Sequence, residues 1–307
     1  MIPVLLIGFN RPDAMAQTAL AVAALGFDEV YLGVDGPRAS SASDDGLARQ
    51  TVAAARDVLG TRVSNVLRQS RNLGCAAAVP AAIDWFFDHV ESGLILEDDC
   101  VPTLEATQFV ESGLAQYKTS NSVYLVSCGS FTPPQSAPAA FLTRFPQLWG
   151  WATWRSKWQS LRPRGDVVAR ARRSSTWQSL SAVERRDWKR MLRLSVGDSP
   201  STWDYGLLAQ LWSIEGFALT PSAPLTRNVG FGPDATHAKT PPAWYREAKA
   251  DELQEFAAKF QSEPLPTEYI PQFDRAVRRA IYSPPITSRV GSRLGRVMDR
   301  VAGRSAN

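Results

Sequence analysis

Between Pro3 and Gly129, short apolar runs alternate with amphipathic or alanine-rich stretches, and this alternation constrains the fold more than any other feature of the chain. PVLLIGF (3–9), EVYLGVDG (29–36), RVSNVLR (62–68), GLILEDD (93–99) and SVYLVSCG (122–129) have strand length, whereas 14–25, 47–60, 76–90 and 104–118 carry helical patterns. Helices of this length between successive strands imply parallel pairing through right-handed crossovers, with helices on both faces of the sheet. The expected class is therefore α/β. Ligands of such sheets lie beyond the carboxyl ends of the strands. Four polar clusters fall there: Asn10–Arg11, Asp35–Gly36, Arg71–Gly74 and the triple carboxylate Glu97-Asp98-Asp99.

After Gly129 the pattern is less regular. Proline-rich SFTPPQSAPAA leads to FLTRFPQLWGWATWRSKW, then to an arginine-rich helical region, then to STWDYGLLAQLW and NVGFGPDATH. This half reads as α+β and is expected to cover the open edge of the sheet and to carry a second substrate. The division that follows is 1–130 for the α/β half, 131–245 for the less regular half of the same domain, and 246–307 for a basic helical tail. With 307 residues and 44% hydrophobic content the chain can bury a sizeable core. Cys75, Cys100 and Cys128 form no CxxC pair, which suits free thiols in a reducing compartment. MIPVLLIGFNRPDAM lacks a basic leader and reads as a first strand rather than a signal peptide, so a cytoplasmic protein is expected.

Lysine and arginine exceed aspartate and glutamate by only four, too small an excess for a nucleic-acid binder. The excess is concentrated in Arg155–Arg193 and Arg275–Arg304, and such basic surface attracts phosphate on a lipid headgroup, a lipid-linked acceptor or a nucleotide. In the tail, Val290, Leu294, Val297 and Val301 share a helical stripe beside Arg289, Arg293, Arg296 and Arg300. Two readings of it stay open: a helix lying on the anionic inner face of the cell membrane, and a terminal helix packed on the body.

Three consecutive carboxylates at the end of a buried strand repel one another and call for a positive partner, a divalent cation being the simplest. They also suit the N-terminus of the following helix. LILEDDCVP resembles the DXD-type motif of GT-A fold glycosyltransferases, in particular the EDD variant of the N-acetylglucosaminyltransferase family that builds branched N-glycans. The resemblance implies a Rossmann-like nucleotide-diphospho-sugar transferase fold with a mixed, mostly parallel sheet. It also implies Mn²⁺ or Mg²⁺ held by Asp99, with Glu97 and Asp98 facing ribose and sugar or bracing the waters of the ion. Hard cations of this kind take oxygen ligands and neutralise a diphosphate leaving group.

Other motifs extend the resemblance over roughly the first 240 residues. PVLLIGFNRPD looks like the first strand of bacterial family-two-like transferases, which implies that Asn10 and Arg11 touch the nucleotide. VDGP matches the place where an aspartate holds the base, so Asp35 is expected to accept a uracil-like N–H, favouring a UDP-sugar; a local Asp-Gly turn explains it equally well. RNLGCAAAV resembles a helix start of the family, and Arg71 would pair with the diphosphate or, alternatively, form a surface salt bridge. WGWATWRSKW resembles a signature of bacterial glycosyltransferases of polysaccharide biosynthesis. It implies that Trp149 and Trp151 line the sugar pocket with Gly150 leaving room between them, while Trp154 and Trp158 belong to the core.

STWDYGLLAQLW puts Asp204 at a helix start, where N-capping is the simple explanation. The Trp-Asp pair also resembles the segment that carries the catalytic base in the N-acetylglucosaminyltransferase family, with Glu215 and Asp198 as runners-up. His237, in NVGFGPDATH, is expected as a second metal ligand, with Asp234 as a substitute; His89 reads as structural. The combined reading is a metal-dependent, inverting glycosyltransferase acting on a nucleotide-diphosphate sugar and a bacterial glycan or lipid-linked glycan acceptor. Two alternatives stand beside it: a non-catalytic sugar-nucleotide or glycan binder, and a sugar nucleotidyltransferase.

Overall fold

A computed structural model describes residues 2–131, 133–134, 136–196, 200–232, 239–242 and 244–281. In chain order the elements begin β1 (Val4–Gly8), α1 (Pro12–Ala24), β2 (Val30–Val34), α2 (Asp44–Leu59), β3 (Val63–Arg68), α3 (Cys75–His89), β4 (Ser92–Glu97) and β5 (Cys100–Pro102). They continue with α4 (Leu104–Gln116), β6 (Val123–Gly129), β7 (Ala140–Thr143), β8 (Gln147–Trp154), α5 (Arg155–Leu161), α6 (Val167–Ala171) and α7 (Ser175–Gln178). The last are α8 (Ala182–Ser195), α9 (Asp204–Ser213), β9 (Phe217–Pro221), β10 (Thr226–Asn228), α10 (Ala250–Ser262) and α11 (Pro271–Ile281).

Eight strands form one sheet in the order β3-β2-β1-β4-β8-β6-β9-β7. The pairs β3–β2, β2–β1, β1–β4 and β6–β9 are parallel, and β4–β8, β8–β6 and β9–β7 antiparallel. The protein is thus α/β with the mixed, mostly parallel sheet expected. β5 and β10 make a separate antiparallel ribbon. Alternation along the central strands assigns the two faces: Leu5, Ile7 and Ile95 point into one core, Val4, Leu6, Leu94 and Leu96 into the other. The first core takes Phe86 of α3, Trp158 of α5, Trp188 of α8 and Leu208 of α9. The second takes Met15 of α1, Ala55 of α2 and Phe109 of α4.

Three parts of the sequence reading need correction. First, β6 does not sit beside β4: the tryptophan-rich segment enters between them as β8, so the second half completes the sheet instead of merely covering its edge. Second, Trp151 does not line a pocket: it lies with Trp154 on β8, ahead of Trp158 on α5, and is buried. Alternation sends Trp151 to one core and Trp154 to the other. Third, the described part of the 246–307 tail packs on the body: Phe256 of α10 is 2% exposed against Phe109, and Phe273 and Val277 of α11 are buried on the opposite face. Residues 282–307, with the valine and arginine stripe, lie outside the described residues.

Candidate functional site

The carboxyl ends of β1, β2 and β4 do gather the polar clusters, and the chain between them explains how. Glu97 is the last residue of β4, in register with Ile7 of β1. The backbone N–H of Asp98 donates to the Ile7 carbonyl at 2.7 Å, which locks the acidic turn onto the end of β1. Arg11, just before Pro12 opens α1, then reaches both neighbouring acids: its guanidinium bonds Asp98 and, at 2.8 Å, Asp99. Asp98 is 2% exposed and its carbonyl accepts the Thr18 hydroxyl at 2.7 Å. Asp98 therefore braces Arg11 from behind and does not face ribose or sugar. Arg11 is likewise occupied by carboxylates rather than open to a nucleotide.

The charge in this corner is not balanced. Burial, then Asp99, Asp98 and Asp204, push the Glu97 carboxyl up to about 8 against the opposing pull of Arg11. Burial pushes Asp98 up to about 7 in spite of Arg11. One guanidinium bonds two of the three acids, and the raised carboxyls of Glu97 and Asp98 hold protons where a second cation would otherwise be needed. Of the two acids bound to Arg11, Asp99 is the more accessible, its side chain 16% exposed against 3% for Asp98. Its Oδ1 is 3.4 Å from Asn228 Nδ2 and 3.5 Å from Cys100 Sγ, and a Cβ on Gly230 would come within 2.0 Å of its Oδ2. Only a glycine lets the loop after β10 cross so close above Asp99. That loop leads to residues 233–238, which hold His237 and Asp234 and lie outside the described residues.

Asp35 has another task than the one expected. Its Oδ1 accepts Gly36 N at 2.8 Å and Leu73 N at 2.9 Å, and its Oδ2 accepts Asn72 Nδ2 at 2.9 Å and Gly74 N at 3.0 Å. A carboxylate offers about four acceptor sites, and all four are filled by the chain. Asp35 thus clasps the loop before α3 instead of receiving a nucleobase N–H. Gly36 allows the clasp, because a Cβ there would lie 2.4 Å from the Arg71 backbone. Arg71 itself is exposed at the rim, and no described carboxylate forms the salt bridge considered for it. Asn10, also expected at the nucleotide, donates at 3.1 Å to Asp44, whose carboxyl is held below its usual range first by Arg38.

Of the tryptophan signature, only Trp149 stays partly accessible. Gly150 has φ +80°, and a Cβ there would meet Thr226 Cγ2 at 2.6 Å, so it admits the β5–β10 ribbon rather than leaving room for a sugar. Trp151 is 1% exposed and stacks on Trp203, with centroids 5.8 Å apart and planes 22° apart. It cannot line a pocket. Its effect on the site is indirect: it anchors Trp203, the residue before Asp204. Asp204 opens α9, accepts the Thr202 hydroxyl at 2.5 Å and the Tyr205 N–H at 2.9 Å, and lies near enough to Glu97 to raise it. Glu215, a runner-up for the base, is tied to Ser175 N at 2.6 Å and to Arg144 at 3.1 Å; Asp198 lies outside the described residues.

Several residues at the site escaped the sequence reading. Cys75, the first residue of α3, is half-buried, and burial together with Glu97, Asp204, Asp35 and Asp99 pushes its thiol up to about 12. The other two cysteines are buried and likewise free. Asn228 had no signal beyond its place in the glycine-rich NVGFG. An aromatic wall flanks it: Trp149 meets Phe131 at 5.1 Å, Trp244 at 5.5 Å, Tyr245 at 5.6 Å and Phe231 at 5.9 Å between centroids. Tyr245 Oη in turn accepts Asn228 N at 3.0 Å.

Among the described residues no three histidine, cysteine, aspartate or glutamate side chains form a ready metal cage. Glu97, Asp99 and Asp204 bring carboxylate oxygens to this corner. That set suits Mg²⁺ or Mn²⁺ bound through one or two protein carboxylates plus substrate phosphates.

No family model and no curated protein matches this sequence. Solved structures resemble it distantly. HddC from Yersinia pseudotuberculosis, complexed with GMP-PN, is 11% identical, with 51% of this chain and 78% of that one covered and a TM-score of 0.32. A mannose-1-phosphate geranyltransferase from Thermus thermophilus is 12% identical over 72% and 74%, TM-score 0.37. The inositol-1-phosphate CTP transferase from T. maritima is 10% identical over 85% and 96%, TM-score 0.38.

Proposed function

We propose that the protein is a glycosyltransferase that moves a sugar from a nucleoside-diphosphate sugar to a glycan hydroxyl with inversion. The observation that carries this reading is the meeting of two acidic elements far apart in sequence, the Glu97–Asp99 turn and Asp204, at the carboxyl edge of an α/β sheet. In this reading the acceptor oxygen bonds to the anomeric carbon, the bond from that carbon to the diphosphate oxygen breaks, and Asp204 takes the hydroxyl proton. The nucleoside diphosphate leaves with an added negative charge. A divalent cation, when bound at Asp99 with His237 as a further ligand, supplies the counter-charge. Arg11 holds Asp99 in place, the α3 N-terminus and Arg71 face the phosphates, and Trp149 with its aromatic neighbours offers ring faces to sugar C–H surfaces.

The second reading is a sugar nucleotidyltransferase. The names of the distant structural neighbours agree with it more closely than with glycosyl transfer, one being a CTP transferase and another a complex with GMP-PN. Against it stands the loop after β1: Phe9-Asn10-Arg11 is neither glycine-rich nor lysine-bearing, and its arginine is bound to acids.

One assay separates the two. The protein is incubated with Mn²⁺ and either nucleoside-diphosphate sugars plus a panel of glycan and lipid-linked glycan acceptors or a nucleoside triphosphate plus a sugar 1-phosphate, with and without a chelator. Glycosyl transfer releases nucleoside diphosphate from the first set; pyrophosphate from the second set assigns nucleotidyl transfer. Tight nucleotide binding with neither release points to the non-catalytic binder.

A further inference from the structure

The reading above leaves α8 without a task, although α8 has the most unusual surface among the described helices. Its inner side is ordinary: Glu184, Trp188 and Leu192 are buried, and Trp188 meets Trp212 at 4.4 Å between centroids. Its outer side exposes Arg186, Lys189, Arg190 and Arg193, against one carboxylate, the partly accessible Asp187, which lies 3.8 Å from Arg186; Glu184 is buried in the capping box with Ser181. Among these cations stand exposed aliphatic side chains, Val183 at 46%, Leu194 at 45% and, just past the helix, Val196 at 37%. They are three of the six large hydrophobic residues exposed in the described chain. A solvated helix face has no reason to collect them. Val183, Arg186, Arg190 and Leu194 follow one another at three- and four-residue steps and so share a single stripe.

The geometry points to this face as a docking surface for an anionic lipid bilayer, the cations meeting headgroup phosphates and Val183, Leu194 and Val196 entering the interface. A soluble polyanion would explain the cations and not the aliphatic residues. The placement adds a consequence that rests on the transferase reading. The end of α8 abuts the start of α9: a Cβ on Gly206 would lie 3.5 Å from Ser195 Cβ and 3.7 Å from Val196 Cγ2, and Arg190 acts electrostatically on Tyr205, the neighbour of Asp204. A bilayer against α8 therefore borders the entrance at Asp204, where an acceptor carried on a lipid phosphate would present its hydroxyl.

Flotation of the full chain with phosphatidylcholine vesicles, with and without phosphatidylglycerol, tests the surface directly. Wild type is expected to float with the anionic vesicles only. R186E/K189E/R190E/R193E is expected to lower that binding more than about tenfold, and V183S/L194S to lower it severalfold at a salt concentration where wild type still binds. R190Q/R193Q, a milder change on exposed positions, serves if the fourfold variant does not fold, and is expected to weaken binding by a smaller factor. Equal flotation with neutral vesicles, or wild-type binding by a folded variant of either kind, overturns the proposal; the latter would move the contact to another basic segment. Binding is read without substrate, so a failure here leaves the transferase reading intact, and a failure of transfer leaves the vesicle result standing.

Discussion

Buried charge occurs at both edges of the sheet, and the two edges handle it differently. At the amino edge, Lys157 of α5 is 7% exposed; its Nζ donates to the carbonyls of Tyr117 and, at 2.7 Å, of Val123, and lies 3.8 Å above the Trp154 ring. Burial pulls its ammonium down to about 8, but every group around it belongs to the chain and is fixed in place. At the carboxyl edge, Asp98 and Asp99 share Arg11 with Glu97 close by, and Asp98 and Glu97 are pushed up to about 7 and 8. A buried charge whose partners are complete is part of the architecture. A buried cluster short of counter-charge is a place where a ligand is expected to complete the structure.

The largest test of that contrast is on activity. Asp204→Ala is expected to lower transfer by roughly 10² to 10⁴-fold, the usual contribution of a positioned base, and Asp99→Ala by a comparable factor, with little change in melting temperature for either. Initial rates of nucleoside-diphosphate release beside a thermal melt check this. Full activity in Asp204→Ala removes the base assignment. At the amino edge the pattern is expected to reverse. Lys157→Met leaves two buried carbonyls without their donor, costing about 1–3 kcal/mol, while transfer per folded molecule stays as in wild type. A large fall in transfer there would erase the distinction between the two edges.

Asp35 sits between these cases. Four chain hydrogen bonds make it architectural, although it lies at the ligand edge. Asp35→Asn keeps one carbonyl oxygen with two acceptor sites and so gives up at least two of the four bonds. The expected result is a melting temperature lower by several degrees together with a raised KM for the donor, because the α3 N-terminus loses its anchor. A change in KM with no change in melting temperature would restore the role of a base-binding residue.

What could be read from the sequence follows the same division. The strand–helix alternation, the sheet class and the gathering of Asn10, Arg11, Asp35, Arg71 and Glu97–Asp99 at one edge were legible because they depend on period and connection, which are local. The pairing of β8 between β4 and β6 was not, because antiparallel insertion leaves no mark in the spacing of the segment itself. Side-chain direction was legible only in part. Trp149 and Trp151 are two residues apart, and an unbroken strand would turn both to the same face; β8 shifts register opposite Ser127 and Gly129, with Gly150 in a left-handed conformation, and the two indoles separate. Arg11 and Asp98 were misjudged for a different reason: a motif shows which residue types are present, and only the folded chain shows which of them have already satisfied one another.

The same contrast extends to the pH dependence of stability, where the two edges should have opposite slopes. Glu97 rises from 4.5 to about 8 on folding, so between these values the folded state holds the extra proton. Stability from this group is fully present below about 4.5 and declines as pH rises toward about 8. Lys157 falls from 10.5 to about 8, so from about 8 upward the unfolded state holds the extra proton and stability rises toward 10.5. Denaturant titrations at a series of pH values are expected to show a fall followed by a recovery. Glu97→Gln should lessen the fall, leaving the part that Asp98 contributes at lower pH, and Lys157→Met should flatten the recovery. If Glu97→Gln leaves the lower slope unchanged, the acids are better neutralised by the chain than their burial implies, and the case for a missing cation weakens with it.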